Sequence, residues 1–133
     1  MHNPPLILIA DDDTQLVELF NTKLTKSGFS VRTVYNGKDA CETALRDQPD
    51  LILLDLKMPV MDGVEALHIL RSNPQTKNIK VLILSSFNEW STMKIDAEVI
   101  RSIGAEDFLP KGMDVDELVL HIRKTLGLPL TQS

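Results

Sequence analysis

Acidic residues stand where two of the chain's apolar runs stop. "LILIA" at 6–10 is followed by Asp11, Asp12 and Asp13, and "LILL" at 51–54 runs into Asp55. A third run, "VLIL" at 81–84, ends in Ser85 and Ser86, and "DFLP" at 107–110 ends in front of Lys111. Two carboxylates about 4 Å apart repel by roughly 4 kcal/mol at an effective dielectric of about 20. A cluster of three must therefore hold protons or take up a cation. A hard divalent ion bound by oxygens meets that need, and magnesium (Mg2+) keeps several waters while taking one or two carboxylates, which leaves positions for phosphoryl oxygens. Lys111 adds a point charge and Ser85 a hydroxyl donor. The set suits a phosphoryl group, with Asp55 as its nucleophile, because such transfer is mostly positioning plus electrostatic stabilisation.

These residues meet only if the runs that carry them are neighbouring strands. Short apolar runs alternate here with longer amphipathic stretches, the rhythm of an α/β fold. Strands are predicted at 6–10, 30–34, 51–55, 81–85 and 107–110. Three are continuously apolar, as in a parallel sheet covered on both faces, whereas "SVRTV" alternates and belongs at an edge. Helical spacing links Leu16, Val17, Phe20 and Leu24; Ala40, Ala44 and Leu45; Val64, Leu67 and Leu70; and Leu118, Val119, Ile122 and Leu126. Asp62 with Glu65 and Asp114 with Glu117 stand at capping-box spacing, and Gly28, Gly37, Gly104 and Gly127 punctuate the element ends. Asp13 precedes the first helix and is expected to cap it, and Ser86 is expected to serve in a turn. With right-handed crossovers, ligands of such a sheet gather beyond the carboxyl ends of its strands, where the polar residues above fall.

The chain has 133 residues, a net charge of −5 and a pI near 5.1, with lysines and arginines scattered among the acids. That is one domain with room for a real core and no basic patch to hold nucleic acid or anionic lipid. A single cysteine, Cys41, excludes an internal disulfide and is expected as a small buried residue of the second helix. His68 and His121 are expected at the surface of helices. The N-terminal "MHNPPLILIA" is too short an apolar stretch for a signal peptide, and no run approaches membrane-spanning length. The expectation is a soluble, cytoplasmic domain over 5–127, with "GLPLTQS" as a helix stop and residues 128–133 as a polar tail.

Asp11 and Asp12 after the first strand, "DLKMPVMDG" from Asp55, a hydroxyl after the fourth strand and a lysine after the fifth resemble, in that order, the receiver domain of two-component response regulators. The likeness runs over about residues 5–127. It implies a doubly wound sheet of five parallel strands in the flavodoxin-like order 2-1-3-4-5, with helices on both faces. It also implies that Asp55 accepts a phosphoryl group from a sensor histidine kinase or a histidine phosphotransfer protein. Asp12 and Asp55 would then ligate magnesium with the backbone carbonyl of Lys57, and Asp11 would act through water. Ser85 would bond the arriving phosphoryl oxygen, Lys111 would pair with it, and Phe108 would be the aromatic that swings inward. Output would pass through the fourth predicted helix, the fifth strand and the fifth helix, a surface also suited to a homodimer. Direct nucleic acid binding and membrane attachment are not expected of such a domain.

The chain departs from that pattern in two places. Many receivers follow the lysine with a cis-proline, whereas the order here is Pro110, Lys111, Gly112. The segment from Ser85 to Gly104 is also several residues longer than usual, with Trp90, Met93, Ala97 and Ile100 on one helical stripe and Ile95, Val99 and Ile103 on another. Two other functional classes share part of this pattern. Haloacid-type phosphohydrolases share the aspartate nucleophile but place a second acid two residues on, where this chain has Lys57. A pseudo-receiver would keep the fold without phosphorylation; the Lys-Gly loop speaks for it, and the joint presence of Asp11, Asp12, Asp55, Ser85 and Lys111 speaks against it. In receivers, the side chains two positions after the acceptor and two after the hydroxyl help to orient the hydrolytic water; here these are Lys57 and Phe87. Phenylalanine offers no hydrogen bond, so a long-lived phosphoryl state is expected. Decay of the phosphorylated chain after donor removal should be faster in Phe87→Glu, and a lifetime equal to or longer than wild type would remove the shielding role.

Overall fold

Strands β1 (Leu6–Ala10), β2 (Ser30–Val34), β3 (Leu51–Asp55), β4 (Lys80–Ser85) and β5 (Asp107–Pro110) form one parallel sheet in the order β2-β1-β3-β4-β5. The computed structural model describes residues 1–86 and 101–130. Four described helices accompany the sheet: α1 (Thr14–Lys26), α2 (Gly37–Asp47), α3 (Gly63–Ser72) and α4 (Val115–Leu126), the last being the fifth helix of the sequence reading. The expected helix between β4 and β5 falls largely on residues 87–100, outside the described residues, as do Phe87, Trp90, Met93, Ile95, Ala97, Val99 and Ile100. Ile103 is described and packs, partly buried, against the core.

The sheet has two covered faces because its central strands are apolar at every position short of their ends, and the side-chain period of two divides them. Leu8, Ala10, Ile52, Leu54, Val81 and Ile83 face a cluster completed by Ala40 and Ala44 of α2 and Ala66, Leu67 and Leu70 of α3. Ile7, Ile9, Leu51, Leu53, Leu82 and Leu84 face the other, completed by Val17, Phe20 and Leu24 of α1 and Leu118 and Ile122 of α4. Each fully buried aliphatic side chain contributes about 1.5–3 kcal/mol relative to exposure. As expected, β2 is an edge strand, and its residues are only partly buried or, at Arg32, exposed. The other edge, β5, ends in Pro110, whose missing N–H is tolerated there.

Two large residues assigned to buried stripes lie outside them. Leu45 is 43% and Val64 37% exposed. The buried line of α2 runs through Gly37, Ala40 and Ala44, and that of α3 through Gly63, Ala66, Leu67 and Leu70. In each helix a glycine holds the first place on the packed face, so Leu45 and Val64, one residue on from members of that line, point away. Cys41 is also only partly buried; its Sγ lies 3.6 Å from the Ala66 carbonyl, and burial, with Glu65 and Glu42 nearby, pushes the thiol pKa up. His68 is exposed and His121 partly so.

The helix starts follow the acidic signals, with one change. Asp13 accepts from Leu16 N–H at 3.2 Å and Asp62 from Glu65 N–H at 2.9 Å, but Asp114 accepts from Asp116 N–H at 2.8 Å instead of from Glu117. Asn36 caps α2 through Asp39 N–H. At the other end of α4, Gly127 takes the left-handed conformation at φ 71. Leu128, placed by the sequence reading in a polar tail, packs partly buried on the α1 and α4 side of the core, while Leu130 is exposed. Among the described residues, no helix is long and apolar enough to cross a membrane.

One arginine fastens the approach to β5. Arg71, in the last turn of α3, donates from Nε to the Gly104 carbonyl at 2.7 Å and from Nη1 to the carbonyls of Ile79 at 2.7 Å and Lys77 at 3.0 Å. Its Nη2 reaches Glu106 Oε2 at 3.5 Å, and the same oxygen accepts from Val81 N–H. Gly104 makes room for it: at φ 104, a Cβ there would stand 2.9 Å from Arg71 Cγ. Removing the guanidinium strands several part-buried acceptors, so Arg71→Ala should lower unfolding free energy in urea by about 2–3 kcal/mol. Arg71→Lys should recover little of it, since an ammonium cannot serve the same fork of acceptors.

Candidate functional site

Register brings the polar strand ends together. Ala10 pairs with Leu54 across β1 and β3, which sets Asp11 beside Asp55; Ser85 pairs with Pro110 across β4 and β5, which sets Lys111 next along the rim. Carboxylate oxygens of Asp11, Asp12 and Asp55 all lie within 4.8 Å of one another. Asp11 and Asp55 are buried and Asp12 is exposed. Lys111 Nζ stands 3.0 Å from Asp11 Oδ2 and 3.1 Å from Asp55 Oδ2. The other oxygens are held locally: Asp11 Oδ1 accepts from Asp13 N–H at 2.9 Å, and Asp55 Oδ1 from Lys57 N–H at 3.4 Å. Asp13 lies off this cluster as the cap of α1, as its position before the helix predicts.

Gly112 follows a lysine whose backbone is tied to the neighbouring strand. Lys111 N–H bonds to the Ser85 carbonyl at 3.0 Å, which continues the β4–β5 ladder by one residue and fixes the backbone from which the side chain reaches inward. Ser85 is fully buried, and its hydroxyl donates to the Ser86 carbonyl at 3.3 Å. Phe108 is half-buried opposite Ile83 in register and packs against the α2 and α3 side of the core. Lys57 is exposed, so the position that would carry the second acid of a haloacid-type hydrolase faces solvent with a cation.

The loop after Asp55 depends on residues that the sequence reading did not assign to the site. A Cβ on Gly63 would lie 2.0 Å from the Asp55 carbonyl oxygen, and one on Gly37 would lie 2.2 Å from that of Met61. Both glycines therefore permit backbone contact, and both seal it with hydrogen bonds: Gly63 N–H to Leu56 O at 2.8 Å and Gly37 N–H to Met61 O at 3.0 Å. Between these ties, Met61 N–H bonds to Pro59 O at 2.7 Å around Val60, whose φ is 70. That is a γ-turn of positive φ, and its strain costs on the order of 1–3 kcal/mol for a non-glycine residue. The signal available in the sequence was a glycine at each helix start, next to Asn36 or Asp62.

The charges balance incompletely. Burial raises the Asp11 pKa, against the lowering effects of Asp13 N–H and Lys111. Burial alone would lower the Lys111 pKa, but Asp11 and Asp55 together outweigh it and raise it. Three carboxylates against one ammonium leave an excess of two negative charges at the rim. An all-oxygen donor set with one exposed member fits a hard divalent ion that retains water, so the residues present suit magnesium. Asp12→Ala should weaken magnesium affinity measured by calorimetry by about tenfold or more, and Asp13→Ala much less, because the first would remove a candidate ligand and the second removes a helix cap. Equal losses would overturn that division.

A family profile described as the response regulator receiver domain matches residues 7–123. The chain is 34% identical to sporulation initiation phosphotransferase F of Bacillus subtilis over 122 residues, covering 92% of this chain and 94% of that protein. It is 35% identical to the DNA-binding dual master transcriptional regulator RpaA of Synechocystis over 122 residues, covering 92% of this chain and 49% of the regulator. The chain thus spans about half the length of the transcriptional regulators it matches. Among solved structures it is similar to the receiver domain of sensor histidine kinase PA1611 from Pseudomonas aeruginosa, with magnesium coordinated in its active site cleft. The TM-score is 0.81 at 25% identity, over 92% of this chain and 98% of that one.

Proposed function

The chain belongs to the family of response regulator receiver domains, and on that premise we propose that Asp55 takes a phosphoryl group from a phosphohistidine and that the modification switches a surface at the β5 end of the sheet. The observation that carries this reading is the buried Asp55 carboxylate at the end of β3, paired with Lys111 and flanked by Asp11 and Asp12. The domain is read as 5–127 and cytoplasmic, and Leu128, the first residue of the tail at 128–133, packs back on it.

In the transfer, an Asp55 oxygen forms the new P–O bond as the P–N bond of the donor breaks, and the imidazole leaves with the electron pair. Asp12, Asp55 and the Lys57 backbone carbonyl would hold magnesium, with Asp11 acting through water. Bound there, the ion supplies positive charge to the oxygens of acceptor and phosphoryl group. Lys111, which already reaches Asp55 Oδ2, pairs with a phosphoryl oxygen by a small shift of its ammonium. The Ser85 hydroxyl turns from the Ser86 carbonyl to the phosphoryl group, and Phe108 moves toward the space it leaves. Support for that coupling comes from register, since Phe108 lies opposite Ile83, two residues before Ser85. Two packings of one core, biased by a new charge, then present different faces of β5 and α4.

The donors of this chemistry are a sensor histidine kinase or a histidine phosphotransfer protein, and the switched face also suits a homodimer. Neither nucleic acid nor membrane is a partner of the domain itself, which carries a net charge of −5. Incubation with acetyl phosphate and magnesium should raise the intact mass of wild type by one phosphoryl group and leave Asp55→Asn unchanged. Chelation of magnesium should abolish the rise. An equal rise in the mutant would overturn the assignment of Asp55.

A further inference from the structure

The chemistry at the rim leaves Val60 unused. It is 79% exposed, more than any other large apolar residue among those described, and it occupies φ 70, a region that β-branched residues rarely enter. Nothing in the packing asks for valine there. Glycine would adopt the turn without steric cost, and asparagine with little.

The turn is nonetheless held firmly from both sides. Gly37 N–H fixes the Met61 carbonyl, Gly63 N–H fixes the Leu56 carbonyl, and neither glycine leaves room for the loop to settle closer. Met58 is buried and Met61 packs against the core, while Pro59 and Val60 between them are exposed. The loop begins directly after the acceptor. Asp55 is only 1% exposed, so a protein donor can bring its imidazole to the carboxylate only by laying the surrounding surface on the loops of the rim, this one among them.

We infer that Val60 is a specificity-determining contact for the protein phosphodonor, its isopropyl group held out by the strained turn to pack on apolar side chains around the donor's phosphohistidine. The inference rests on the reading of Asp55 as acceptor. A side chain fixed in its bound position loses little freedom on docking, which is what such a turn secures. A small-molecule donor needs no such contact, and that difference separates the role from one in the chemistry.

Val60→Asn keeps a residue that tolerates positive φ and removes the apolar group; Val60→Ile keeps both the branching and the apolar surface. Each is to be phosphorylated with acetyl phosphate, and separately by a phosphohistidine-loaded histidine phosphotransfer domain that labels wild type. In Val60→Asn, the acetyl phosphate rate should match wild type while transfer from the protein donor falls by roughly fivefold or more. Val60→Ile should restore it. Protein-donor transfer at the wild-type rate in Val60→Asn, or an equal loss with both donors, would overturn the inference. Failure of wild type to take phosphate on Asp55 from either donor would instead overturn the reading on which it rests.

Discussion

A single ammonium between two buried carboxylates is the constraint that organises this structure. Charges taken out of water are tolerated only with close partners of opposite sign. Asp11 and Asp55 share Lys111 at 3.0 and 3.1 Å, yet they sit on neighbouring strands while the lysine follows the far edge strand. The lysine reaches across β4, whose own last residue, Ser85, is small and gives up its carbonyl to anchor the Lys111 backbone. A strand order that separated β1 from β3, or moved β5 to the other edge, would leave both acids without their cation. The apolar sandwich supplies the stability that makes the arrangement affordable, and the rim shows what that stability is used for.

Around that centre, the backbone takes over from side chains. Where α2 and α3 meet the loop after Asp55 there is no space even for a methyl group, and the contacts are peptide to peptide. Such contacts hold position more firmly than side chains that can change rotamer, and they fix the backbone that carries Asp55. The same rigidity forces Val60 into a conformation that its own side chain disfavours.

Much of this was legible in the residues themselves. Continuous apolar runs locate β1, β3 and β4 because burial on both faces leaves no polar positions, and the resemblance supplied their order; Asp11, Asp12, Asp55, Ser85 and Lys111 stand out because each interrupts or follows such a run. What escaped was set by three-dimensional closeness. Leu45 and Val64 have the right chemistry for a core, but glycines had already taken the inward line. The grip of Arg71 on carbonyls from two separate loops has no sequence period, and positive φ at a valine runs against every local preference. Cys41 misled for the opposite reason, being a type commonly buried that here sits half-open between two helices.

The two borders of the sheet carry a consequence for how copies of the chain can meet. β5 is four residues long and ends in a proline that cannot donate, and β2 sets the exposed cation of Arg32 in the middle of its length. Short strands, prolines and outward charges are what keep sheet borders from recruiting strands of another molecule. Growth of the sheet from one copy into the next is therefore disfavoured at both ends. Any contact between copies would fall instead to helix surfaces and loops, which can be made and released without opening a ladder of hydrogen bonds.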